Sequence, residues 1–109
     1  MEALSLIEFA SLAQGLRALD ALVKKAPVEV LEANLVEPGK FLVLFAGGVA
    51  EVEESHAEAL AVGSDGVLGA MLLADAHPGL LAGLRGAVVR KAADDLDCLG
   101  VIEGSAIAA

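Results

Sequence analysis

The chain has 109 residues, 57% of them hydrophobic, and a net charge of −9. One domain with a buried core is expected at this length, and the apolar share exceeds that of an ordinary soluble domain, so apolar surface should remain for contact with other subunits. An acidic chain with no Lys/Arg cluster, no Trp and no Tyr is a poor nucleic-acid binder, and its single Cys98 excludes an intrachain disulfide and a cysteine-rich metal site.

No apolar run reaches membrane-spanning length and no signal-peptide pattern opens the chain, so a soluble, cytoplasmic protein without membrane contact is expected. Residues 4–9 read as a short strand. Ser11 and Gln14 then form a capping box, and Leu12, Leu16, Leu19, Val23 and Ala26 fall on one apolar stripe of a helix. Asp20 and Lys24 sit one turn apart on another face, Lys24 and Lys25 suit the carbonyl end, and Pro27 stops the helix.

Residues 28–36 and 41–46 are predicted strands around Glu37-Pro38-Gly39-Lys40, where Pro sets one turn dihedral and Gly accepts the positive φ of the next. The second of these strands is apolar throughout, which predicts burial on both faces or cover by a neighbouring subunit. A helix follows Gly47-Gly48, acidic in its first turns and closed by Gly63. Residues 67–74 read as a strand. His77-Pro78 opens a short helix whose buried side is expected from Leu80, Leu81 and Leu84, with Gly86 at its end. The order matches an α+β, ferredoxin-like split βαβ fold, with four antiparallel strands and helices packed on one face. That fold hosts many functions.

No catalytic constellation stands out. Glu53 and His56 make one Glu-x-x-His step, but a carboxylate-bridged metal site needs two such steps and further acids, so no metal is expected. Asp75 and His77 could pair as base and orienter, yet no nucleophile is placed for them, and a helix cap is the simpler reading of either. Gly47-Gly48 before a helix could hold an anion, against which the acidic first turn argues. Cys98 reads as a small apolar residue at a strand start. The chain is therefore not expected to be an enzyme.

Residues 4–9, the helix end Asp20-Ala21-Leu22-Val23-Lys24-Lys25-Ala26, the hairpin, and His77-Pro78-Gly79-Leu80 together resemble the shell proteins of bacterial microcompartments. Those carry a strand of type L-G-x-I-E, a helix ending near D-A-x-x-K-A, a pore-lining hairpin loop and a late R-P-H-x-x-L stretch. The resemblance, over residues 3–85, implies the BMC-domain fold, cyclic hexamers with a central pore for small metabolites, self-assembly with other shell proteins, and no cofactor. It places Glu37, Pro38, Gly39 and Lys40 at the pore, and Lys24 and His77 at the edge between oligomers. Asp75-Ala76 stand where the family has Arg-Pro, which puts ordinary edge-to-edge tiling in doubt because a carboxylate cannot replace a forked cationic donor. Iron–sulfur members carry a pore cysteine, whereas Cys98 is far from this loop, so no cluster is expected.

Residues 99–103, Leu-Gly-Val-Ile-Glu, repeat the pattern of Leu4-Ser5-Leu6-Ile7-Glu8, and Ile107-Ala108 continue the match to Leu12-Ala13. Some members of the family hold two BMC domains in one chain and form trimers that imitate hexamers. The expected layout is a BMC domain over 1–86, a connector over 87–97 and the start of a second, truncated copy over 98–109, able to add as a strand to a vacant sheet edge. A small-molecule-binding regulatory oligomer on the same fold is the alternative reading.

Overall fold

The computed structural model describes residues 2–36, 39–86, 100–105 and 107. The elements run β1 (Glu2–Phe9), α1 (Leu12–Lys25), β2 (Glu29–Val36), β3 (Lys40–Gly48), α2 (Val49–Gly63), a single 3₁₀ turn, β4 (Val67–Leu73) and α3 (Pro78–Leu84). The strands form one antiparallel sheet in the order β2-β3-β1-β4. β1 and β3 therefore lie in the middle, which explains why both are apolar on both faces, while β2 and β4 are the edges.

Local chemistry sets the boundaries. Ser11 caps α1: its Oγ accepts the Gln14 N–H at 3.3 Å, and its hydroxyl donates to Gln14 Oε1 at 3.0 Å. The Gln14 side chain thus meets the Ser11 hydroxyl, where the capping box would send it to the Ser11 backbone N–H. Ala26 leaves α1 in an extended conformation ahead of Pro27. In the β2–β3 turn Gly39 adopts φ +75°, a region that a side chain disfavours.

One face of the sheet carries α1 and α2. Ala3, Ile7 and Phe9 of β1 meet Phe41, Val43 and Phe45 of β3 there, under Ala18 and Leu22 of α1 and Val52 and Ala59 of α2. All three phenylalanines of the chain lie in this layer. Each contributes about 1.5–3 kcal/mol on burial, which makes this layer the main source of stability. The other face holds a smaller cluster of Leu4, Leu44, Ala46, Ala76 and Leu81, with Leu6, Leu31 and Leu84 beside it. The two long helices share a face as expected, but the short α3 packs on the opposite one, a departure from the expectation of all helices on one face, because its Leu81 joins the Leu4–Leu44 cluster there.

Two apolar surfaces differ from the sequence reading. The buried stripe of α1 is Gly15, Ala18 and Leu22, leading to Ala26, whereas Leu12, Leu16 and Val23 are 42–49% exposed. The reason is close approach: a Cβ at Gly15 would lie 2.3 Å from Phe41 Cδ1, so the helix settles on its smallest side. In α3 only Leu81 is fully buried; Leu84 is half-buried and Leu80 exposed, since seven residues offer one narrow contact line.

Candidate assembly surface

The strand register gives the sheet two distinct ends. Phe9 pairs with Phe41 and Val36 with Lys40 at one; Glu2 pairs with Gly48 and Glu29 with Ala46 at the other. Eight strand residues separate these ends by about 26 Å. The β2–β3 turn is at the first end. Glu37 and Pro38 lie outside the described residues; Gly39 is exposed, and Lys40 opens β3 with its Nζ 3.8 Å from Glu8 Oε1. That pair is partly exposed and hence weak, but it brings an acid from β1 beside the one described cation of the turn.

Lys24 and His77 belong to the opposite end. Lys24 is in the last turn of α1, just before the chain enters β2, and its Nζ donates to Asp20 Oδ2 at 2.9 Å on an exposed surface. Ala76, next to His77, donates its N–H to the Glu2 carbonyl at 2.9 Å. His77 is the N-cap of α3: its Nδ1 accepts the Gly79 N–H at 2.9 Å, and its carbonyl accepts from Leu80 and Leu81. The cap reading of His77 is the one the geometry supports, and Nδ1 is occupied by it.

Sequence reasoning missed Arg85, which ties down this same end. Its Nη2 reaches Glu2 Oε2 at 2.9 Å and Glu29 Oε1 at 2.9 Å, so one guanidinium joins the end of α3 to the first residues of β1 and β2. The planar fork of arginine suits two carboxylates at once. Hydrogen bonding to Arg85 holds the Glu2 carboxyl below the usual carboxylate range, and both acids push the guanidinium upward. Three acidic or basic residues separated by most of the chain give no sequence signal for such a cluster.

A second polar pair was also missed. Ser5, fully buried on β1, has its Oγ 2.7 Å from His56 Nδ1 on α2, and burial lowers the pKa of the imidazole. His56 thus faces the sheet while Glu53 and Glu54 are exposed, which separates the members of the Glu-x-x-His step. Neighbouring Ser55, also buried, donates to the Leu22 carbonyl at 2.8 Å and pins α2 to α1. Glu51 folds over Gly48 at the start of α2, where an anion would otherwise sit. Among the described residues no three His, Cys, Asp or Glu side chains are grouped to hold a metal, and no helix is long and apolar enough to cross a membrane.

Exposed apolar side chains are spread over elements that a single copy leaves open: Leu12, Leu16 and Val23 on α1, Val30 and Leu35 on edge strand β2, Leu68 and Leu73 on edge strand β4. Residues 100–103, the described part of the repeated pattern, join no strand, and Val101 and Ile102 are 90% and 79% exposed. Residues 87–99, with the connector and Cys98, lie outside the described residues.

The four-stranded split βαβ sheet runs in the order β2-β3-β1-β4, and residues 3–76 match the BMC domain. The chain belongs to the BMC-domain family. It is 29% identical over 108 residues to the bacterial microcompartment shell protein PduT of Citrobacter freundii, a match covering 99% of this chain and 57% of that protein. The crystal structure of a microcompartments protein from Desulfitobacterium hafniense DCB superposes with a TM-score of 0.78 at 37% identity, over 84% of this chain and 51% of the other. The chain thus spans about half the length of the relatives it matches.

Proposed function

We propose that this chain is a structural component of a bacterial microcompartment shell in the cytoplasm, closing with copies of itself into a ring of hexameric outline. The β2–β3 turn bounds a central opening for small metabolites, and the Lys24/His77 end meets neighbouring rings or other shell proteins. One observation carries the reading: the turn and the Lys24/His77 pair occupy opposite ends of the same sheet, as a subunit needs if one end faces an axis and the other a rim. The exposed apolar residues on both edge strands supply the lateral contacts, since large exposed apolar surface marks interfaces. No chemistry is assigned to the chain beyond passage through the opening, whose aperture and charge follow from the loop repeated around the axis.

Native mass spectrometry with negative-stain microscopy tests this directly. Closed rings with a stained centre are expected. A population of monomers and dimers at micromolar concentration, or rings with the β2–β3 turn mapped to the outer rim, would overturn it.

A further inference from the structure

The sheet face opposite α1 and α2 carries an apolar groove that α3 closes at only one end. Leu4, Leu6, Leu42, Leu44, Met71 and Leu73 line it, and its volume is about 410 Å³. Along β4 the residues on this face are Leu73, Met71 and Gly69, paired with Leu4, Leu6 and Glu8 of β1. The row of side chains therefore ends in a glycine. A glycine inside a strand weakens it, and commonly marks a place where another group comes close.

Here that group is Ile107. A Cβ built at Gly69 would lie 3.0 Å from Ile107 Cγ1 and 3.6 Å from Ile107 Cβ, so the missing side chain is the space the isoleucine fills. Ile107 is half-buried, in contrast to the exposed residues 100–105 before it. We propose that Gly69 is a seat for Ile107, and that the β4 side of this apolar face is occupied by the Ile107 side chain of the same chain. The contact is face-on, side chain against the strand surface, and differs from the addition of a strand to a sheet edge. It needs no ring, so it stands or falls apart from the assembly described above.

The 3.6 Å separation lies within the Cβ–Cβ range of a disulfide, which is about 3.5–4.5 Å, and this supplies the test. In a Cys98→Ser background, Gly69→Cys with Ile107→Cys should form an intrachain disulfide under mild oxidation. Gly69→Cys with Val101→Cys should not. Mixing isotope-labelled and unlabelled chains before oxidation separates a bond within one chain from a bond between two. Independently, Gly69→Leu fills the seat while leaving Ile107 in place. Contacts between the Ile107 methyls and the Gly69 α protons are expected by NMR in the parent chain. In the Gly69→Leu variant the Ile107 methyls should lose contact with the β4 backbone at that position, and their order parameter should fall while the backbone spectrum of β1 and β3 persists. Absence of the disulfide, equal cross-linking at Val101, a bond only between chains, or an unchanged Ile107 order parameter in Gly69→Leu would each overturn the proposal.

Discussion

Ser5 Oγ and His56 Nδ1 are 2.7 Å apart between the central strand β1 and helix α2, and they are the polar contact between sheet and helix at a site where the serine is fully buried. The imidazole is partly withdrawn from water, and that desolvation depresses its pKa. In the unfolded chain a histidine takes up a proton near pH 6.5, while the folded chain resists it. Stability is thus expected to fall as pH drops below about 6.5, and to continue falling until the folded-state pKa is passed. Urea unfolding at pH 8 and pH 5.5 measures the slope, and His56→Gln should flatten it. Ser5→Ala should cost about 1–2 kcal/mol at pH 8, because it leaves a half-buried ring nitrogen without its partner.

Gly15 and Leu16 are neighbours in α1 with opposite assignments. Gly15→Val drives a branched side chain into Phe41 and should destabilise the domain by roughly 1–3 kcal/mol, read as a lowered melting temperature. Leu16, 49% exposed, lies outside the core, so Leu16→Ser should leave the melting temperature of the dissociated chain nearly unchanged. A large loss for Leu16→Ser and none for Gly15→Val would reverse the orientation of the helix.

Arg85 holds Glu2 in its low-pKa state, and its removal should show at that carboxyl. In Arg85→Gln the NMR titration midpoint of Glu2 is expected to move up toward the ordinary carboxylate value. The sign for stability follows: the Arg85–Glu2 contribution is present above the usual carboxylate pKa and is lost as pH falls through the depressed one. An unmoved Glu2 midpoint would show that the fork does not persist in solution.

At the turn, Lys40 lies beside Glu8, so Glu37, Lys40 and Glu8 together leave a net negative charge on each copy. If the turns surround an opening, cations should pass more readily than anions in planar-bilayer recordings. Glu37→Gln should reduce that preference, and Lys40→Gln should increase it. Anion preference in the parent chain would be the contrary result.

Much of the element order was legible because it rests on local chemistry. Ser11 and Pro27 bracket α1, Gly39 defines the hairpin, Gly47-Gly48 precede α2, and His77-Pro78 open α3, all signals carried by residues at the boundary itself. The apolar run 41–46 predicted burial on both faces or cover by a neighbouring subunit, and β3 is an inner strand of the sheet. The motifs carrying the family resemblance were equally local, and the BMC match over residues 3–76 covers them up to, but not including, His77-Pro78-Gly79-Leu80.

Over residues 4–84 the sequence alone settled where the chain turns, which stretches are helix or strand, and the family to which they belong, because caps, turns and periodicity act between near neighbours, whereas the repeated pattern at 100–103 joins no strand. Tertiary structure decided which side of each element is inside. The leucine stripe of α1 lost to Gly15 and Ala18, because the small residues let the helix approach Phe41. The Ser5–His56 pair, the Arg85 fork and the seating of Ile107 at Gly69 join residues far apart in the chain, and such contacts exist only after the sheet has brought its strands together.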